Sequence, residues 1–130
     1  MVELPTAIHT NNAPQAIGPY SQGMRTSNMI FTAGQIPINP TTGEMVNGGI
    51  EDQTRRACRN LAAVLEAAGS SLDQVLKVTV FMTDLSQFES MNAVYSEYFV
   101  NNPPARSTVQ VAGLPMEAQI EIECVALIIG

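Results

Sequence analysis

Tryptophan is absent from this chain, histidine occurs once (His9), lysine once (Lys77) and cysteine twice. A lone histidine in an N-terminal segment that is expected to be mobile disfavours histidine-based acid–base catalysis. Cys58 and Cys124 lie far apart, with no CxxC and no histidine cluster, which argues against a disulfide scaffold and a structural zinc site. Both read as small core hydrophobes, and no metal is expected. GxSxG, P-loop, GxGxxG and HExxH patterns are all missing. Charge is scarce as well: 14% of residues are charged, against about 25% in an average globular chain. A surface so poor in charge carries apolar area that another subunit can cover. Six basic residues against twelve acidic ones leave a net charge of -6, the wrong sign for wrapping phosphate backbones, so nucleic acid is not an expected partner. No run of eighteen apolar residues exists, and the first twelve residues lack the basic flank and apolar block of a secretory signal. A soluble protein outside the membrane is expected, cytoplasmic with the mitochondrion as the alternative.

What is present is apolar. With 130 residues, 45% of them hydrophobic, and with no linker or repeat, one domain spanning 1–130 is expected. Residues 29–33 are β-branched and aromatic and end at Gly34, which suits a short strand. From Ile50 to Ala68, apolar or small residues recur every three or four positions, predicting a helix stopped by Gly69. Residues 75–83 predict a strand with Leu76, Val78, Val80 and Met82 on one face and Val75, Thr79 and Phe81 on the other. Ser86 to Glu89 has capping-box spacing and opens a second helix burying Phe88, Met91, Val94, Tyr95, Tyr98 and Phe99. Strands over 106–112 and 119–129 follow. Two helices cover one face of such a sheet, and strands apolar on both faces leave the second face for another subunit. The fold class is α+β, with both helices on one side.

Few residues stand out chemically. Lys77 could form a Schiff base only with a depressed pKa, and more often such a lysine snorkels to the strand edge. Arg55, Arg56 and Arg59 read as a wet helix face, with Glu51–Arg55 and Asp52–Arg56 as i,i+4 pairs. Arg106 follows a rigid Pro103-Pro104-Ala105 segment; it reads either as a bidentate carboxylate clamp or as a strand-end partner in a surface ion pair. Glu121 and Glu123 share a strand face with Val125, Leu127 and Ile129, so at least one carboxylate is expected to be partly buried. Gly18-Pro19-Tyr20-Ser21 reads as a turn, either presenting a tyrosine to a pocket or simply packing it.

Read in order, Asn12-Ala13-Pro14, Ala16-Ile17-Gly18-Pro19-Tyr20-Ser21-Gln22, Thr32-Ala33-Gly34-Gln35-Ile36-Pro37, Val78-Thr79-Val80-Phe81 and Asp84-Leu85 resemble the RidA/YjgF family of enamine and imine deaminases. Pro104-Ala105-Arg106-Ser107, Ala112-Gly113-Leu114-Pro115 and Ile120-Glu121-Ile122-Glu123 continue the pattern to the C-terminus. The resemblance implies a chorismate-mutase-like α+β fold, a homotrimer with sites between subunits, and no cofactor. It implies hydrolysis of 2-aminoacrylate, 2-iminopropanoate and 2-iminobutanoate to 2-oxo acids and ammonia, sparing pyridoxal-phosphate enzymes from damage. By position, Arg106 corresponds to the carboxylate anchor, Glu121 to the acid or base that positions water, and Tyr20 to the aromatic wall. The backbone at Gly34 and Thr108 would offer polar contacts, with Phe88 and Asn92 as further lining residues. Ala33 stands where the family often has serine and Thr108 where it often has cysteine, which leaves substrate preference open and removes thiol chemistry at Thr108. The alternatives are a ribonuclease or translation inhibitor, and a non-catalytic 2-oxo acid-binding or chaperone-like trimer.

Overall fold

A computed structural model describes residues 4–129; residues 1–3 and 130 lie outside the described residues. Strand β1 (Thr6–Ile8), β2 (Gly23–Arg25) and β3 (Met29–Thr32) precede helix α1 (Ile50–Ala67), followed by β4 (Val75–Met82), α2 (Phe88–Tyr98), β5 (Ala105–Gln110) and β6 (Ile120–Leu127). They form a six-stranded sheet in the order β1-β2-β3-β6-β4-β5. Only β4 and β5 run parallel; the other neighbours are antiparallel. This is the expected α+β fold, with α1 and α2 packed over one face.

The period-2 alternation of β6 decides which face that is. Ile120, Ile122, Cys124 and Ala126 are buried, whereas Glu121, Glu123, Val125 and Leu127 point the other way and are half-buried. Val78, Val80 and Met82 of β4 pair with Cys124, Ile122 and Ile120 and share their face. Ala57, Leu61, Val64 and Leu65 of α1 close over them, with Met91 and Tyr95 from α2. Each fully buried Leu or Ile contributes roughly 1.5–3 kcal/mol relative to exposure, so this layer holds the sheet and both helices together. The opposite face stays open: Met24, Phe31 and Val109 are 38%, 48% and 40% exposed.

Several sequence expectations are corrected. The N-terminal segment is tied down, because β1 pairs with β2 and His9 Nε2 lies 2.8 Å from Gln15 Oε1. These two three-residue strands carry no periodic signal and exist through pairing onto β3. A bulge between Val75 and Lys77 inverts the start of β4, so Val75 is buried and Leu76 is 45% exposed. Ser86 does not cap α2. Asp84 Oδ1 instead accepts from the Ser86 N–H and starts a short 3-10 turn, Leu85–Gln87, that leads into the helix. Asp52 and Arg56 do not pair, and Arg55 reaches across to Glu97 at 2.9 Å instead of Glu51, which ties α1 to α2. Lys77 behaves as a strand-edge lysine, donating to Ser107 Oγ at 2.8 Å. Cys58 and Cys124 are buried and unbridged, as expected.

Candidate functional site

A cleft of about 470 Å³ opens beside β6, lined by Glu121 together with Ile17, Tyr20, Ala33, Gly34, Ile36, Pro115 and Met116. Its geometry starts from backbone pairing. Gln35 N–H donates to Ile122 O at 2.8 Å and Ile122 N–H donates back to Gln35 O at 3.1 Å. That two-way bridge presses the chain just before it against the outward-pointing side chain just before Ile122. Gly34 therefore lies under the Glu121 carboxyl so closely that an added Cβ would sit 2.6 Å from Glu121 Cδ and Oε2. No side chain fits there without moving the carboxyl. The Gly34 N–H has no hydrogen-bond partner among the described residues and remains available to a ligand.

Burial, with a smaller contribution from the Glu123 charge, holds the Glu121 carboxyl above the ordinary carboxylate range. A carboxylate so placed is a stronger base than that of a free glutamate. Tyr20 stands at the cleft wall, its hydroxyl accepting from Ile17 N–H at 3.1 Å. The loop before it is held by one buried amide: Gln22 Oε1 accepts from Thr10 N–H, and Nε2 donates to Thr10, Ala13 and Pro14 carbonyls. Across the cleft, Met116 and Glu117 both adopt left-handed backbone, with φ of 56° and 57°. Each such residue costs about 1–2 kcal/mol, a strain the surrounding fold sustains.

Arg106 lies elsewhere. It pairs with Val78 and so points to the helix-covered face, as does Thr108 through its pairing with Val80. Its Nη1 donates to Asn92 Oδ1 at 2.8 Å. The guanidinium carbon lies 4.6 Å from the Tyr95 ring centre and 5.4 Å from that of Phe88. Tyr95 in turn stacks on Phe99 at 4.4 Å. Arg106 has no acidic partner among the described residues, so the surface ion-pair alternative does not hold. Together with Asn92, Tyr95 and Pro104 it lines a second depression of about 370 Å³. The Tyr95 hydroxyl is buried without a hydrogen-bond partner among the described residues, and burial, opposed by the Arg106 charge, pushes it up to about 12.

The sequence-derived residues thus fall into two groups. Tyr20, Gly34 and Glu121 come together; Arg106, Asn92 and Phe88 come together, with Thr108 on the same face two residues along β5. Glu121 pairs with Phe81, which pairs with Val109, so Glu121 and Arg106 are two strands and three residues apart, about 14 Å between Cα atoms from ideal sheet spacings. They also point to opposite faces. No small acid bridges them within one chain.

Residues 10–128 match the family profile described as Endoribonuclease L-PSP. The chain belongs to this family, RidA/YjgF. A RutC family protein of Pyrococcus horikoshii is 55% identical over 119 residues, covering 92% of this chain and 94% of its own. The human RidA/YjgF relative named 2-iminobutanoate/2-iminopropanoate deaminase is 42% identical over 120 residues, covering 92% of this chain and 88% of the human protein. The crystal structure of E. coli TdcF with bound serine superposes with a TM-score of 0.90 at 45% identity, covering 94% of this chain and 98% of that one. RidA/YjgF relatives therefore include proteins named as imine or reactive-intermediate deaminases. Among the described residues no helix is long and apolar enough to cross a membrane, and none of the His, Cys, Asp and Glu side chains cluster as a metal site.

Sequence reasoning missed the apolar walls Ile17, Ile36 and Met116, which carry no chemical signature of their own. It read Tyr95 as core only; the stacking under Arg106 depends on α2 lying against β5, which no local pattern reports.

Proposed function

We propose that this protein hydrolyses 2-imino acids and their enamine tautomers, such as 2-aminoacrylate, 2-iminopropanoate and 2-iminobutanoate, to 2-oxo acids and ammonia. One observation carries the reading: a half-buried carboxyl seated on a glycine backbone in one cleft, and an arginine free of any acidic partner on the other side of the same sheet. A second copy of the chain completes the site by bringing its Arg106 to the Glu121 cleft of the first. The open apolar face with Met24, Phe31 and Val109 supports that assembly, and a homotrimer of one-domain chains is the arrangement we propose.

In the completed site Arg106 holds the substrate carboxylate through its planar fork, pre-oriented by Asn92 and by the rings of Tyr95 and Phe88. The Gly34 N–H and the Thr108 backbone supply further polar contacts, and Tyr20 walls the ring of contacts from solvent. Glu121 accepts a proton from water as the water oxygen bonds to the imine carbon, and the imine nitrogen takes up a proton. The carbinolamine collapses as the Glu121 carboxyl returns its proton to the amino nitrogen and the hydroxyl proton leaves, the C–N bond breaks, and ammonia departs from the new 2-oxo acid. No cofactor is required by these steps. A ribonuclease reading is less well supported, because His9 bonds to Gln15 and does not line the Glu121 cleft. The compartment we propose is the cytoplasm.

The test couples a threonine dehydratase to semicarbazide trapping of free 2-iminobutanoate. Native protein lowers the trapped fraction, and Arg106→Ala, verified as folded and oligomeric, does not. An unchanged trapped fraction with native protein refutes the deaminase reading and leaves 2-oxo acid binding without turnover as its successor.

A further inference from the structure

We infer that Met116 selects the side chain of the substrate, favouring 2-imino acids with apolar chains of three or more carbons over short ones and rejecting those with a second carboxylate. The inference rests on the deaminase reading and deepens it. The reacting carboxylate and imine carbon occupy only the part of the cleft next to Gly34 and Glu121. At about 470 Å³ the cleft falls within the roughly 300–1,000 Å³ typical of sites for larger small molecules. The remaining volume is walled by Ile17, Ile36, Pro115 and Met116, and the one charged lining group is the Glu121 carboxyl. An ionised substrate side chain would meet that carboxyl and no cation from this wall.

Met116 is the adjustable part of the wall. It is 50% exposed, and its unbranched thioether adapts to chains of different shape. Its direction is not a matter of local propensity. Two consecutive non-glycine residues, Met116 and Glu117, hold left-handed backbone, and Ala118 N–H closes the turn onto Pro115 O at 3.2 Å. Methionine is disfavoured in that conformation, and such outliers concentrate where a side chain is aimed for use. Asparagine tolerates it better, so Met116→Asn removes the apolar wall while easing the turn, and a folding defect is not expected to obscure the result.

The test generates 2-imino acids in situ from alanine, leucine, methionine and glutamate with an L-amino-acid oxidase and catalase, and follows semicarbazide-trappable imine. Binding of the matching 2-oxo acids is measured in parallel by NMR titration. Native protein is expected to favour leucine- and methionine-derived imines over the alanine-derived one by at least about tenfold in kcat/KM, with the glutamate-derived imine poorest, since one methylene in an apolar pocket is worth about tenfold or more. Met116→Asn is expected to collapse that ratio to within about twofold, with the loss falling on the leucine- and methionine-derived imines. A ratio unchanged in the variant overturns the role of Met116 and leaves the deaminase reading intact. Absent turnover with chain-length-dependent 2-oxo acid binding that Met116→Asn abolishes overturns the deaminase reading and keeps the selectivity. Neither turnover nor binding overturns both.

Discussion

Opposite faces of one sheet hold Arg106 and Glu121, and this makes subunit complementation decisive. Arg106→Ala and Glu121→Ala oligomers are each expected to be nearly inactive: losing one partner of a buried charge contact costs about 2–5 kcal/mol, at least about 30-fold in rate. Mixed one to one and allowed to exchange subunits, they should recover activity. A site between copies is intact when its arginine donor is a Glu121→Ala chain and its glutamate donor an Arg106→Ala chain, each with probability one half, so about one quarter of native specific activity returns. The mirror experiment mixes native chains with chains carrying both substitutions. A site shared between copies leaves about one quarter of activity, whereas a site within one chain leaves about one half. The assay is the dehydratase-coupled trapping of imine, with exchange confirmed by native mass spectrometry of a mass-tagged variant. Exchange without recovery in the first mixture, or one half in the second, refutes the shared site.

Gly34→Ala should displace the Glu121 carboxyl without unfolding the chain, because the clash falls on the end of a flexible side chain. Stability by urea titration is expected to stay within about 1 kcal/mol, while kcat/KM falls by about 100-fold, the usual cost of misplacing a reacting group by an ångström; loss of both together would mean a structural role only. Glu121→Gln should abolish turnover yet leave the protein at least as heat-stable at pH 7. The Glu121 pKa is raised by folding, so ionisation opposes the folded state: the native protein loses this stability as pH rises from about 4.3, the unfolded value, through the raised folded one. The difference in Tm between native and variant, followed from pH 4 to 8 at fixed concentration, should grow in the variant's favour, and a difference that shrinks contradicts the assignment. Burial pushes the Cys58 and Cys124 thiols up to about 12, so neither should react with a thiol reagent at pH 8 until denaturant is added; rapid labelling of the native protein would contradict that burial.

Long apolar periodicity made α1, β4 and β6 legible from sequence, because each buries a face whose spacing is written in its own residues. The two-faced character of β6 was legible too, and it is the ground for expecting a covering partner. What escaped was non-local. β1 and β2 are three residues each and form only against β3, and the inversion of Val75 and Leu76 follows from a bulge that depends on β6 pairing. Arg55 finds Glu97 because α2 lies alongside, a fact no i,i+4 rule contains. At the candidate site, Arg106, Glu121, Tyr20 and Gly34 were visible through the resemblance of their motifs. Their division between two faces was not, since pairing register alone assigns Arg106 to the helix side and Glu121 to the other.

The Gln22 amide reads only backbone atoms of Thr10, Ala13 and Pro14. The path of the loop is therefore read through main-chain atoms, with the Ala13 side chain buried beneath it, and Gln22 has almost no substitute. Glutamate would set a negative oxygen against two or more carbonyls in place of the donating Nε2, and shorter residues would not reach. Deamidation at this one position would write the same error into the molecule, so the approach of the loop to Tyr20 hangs on the chemistry of a single amide.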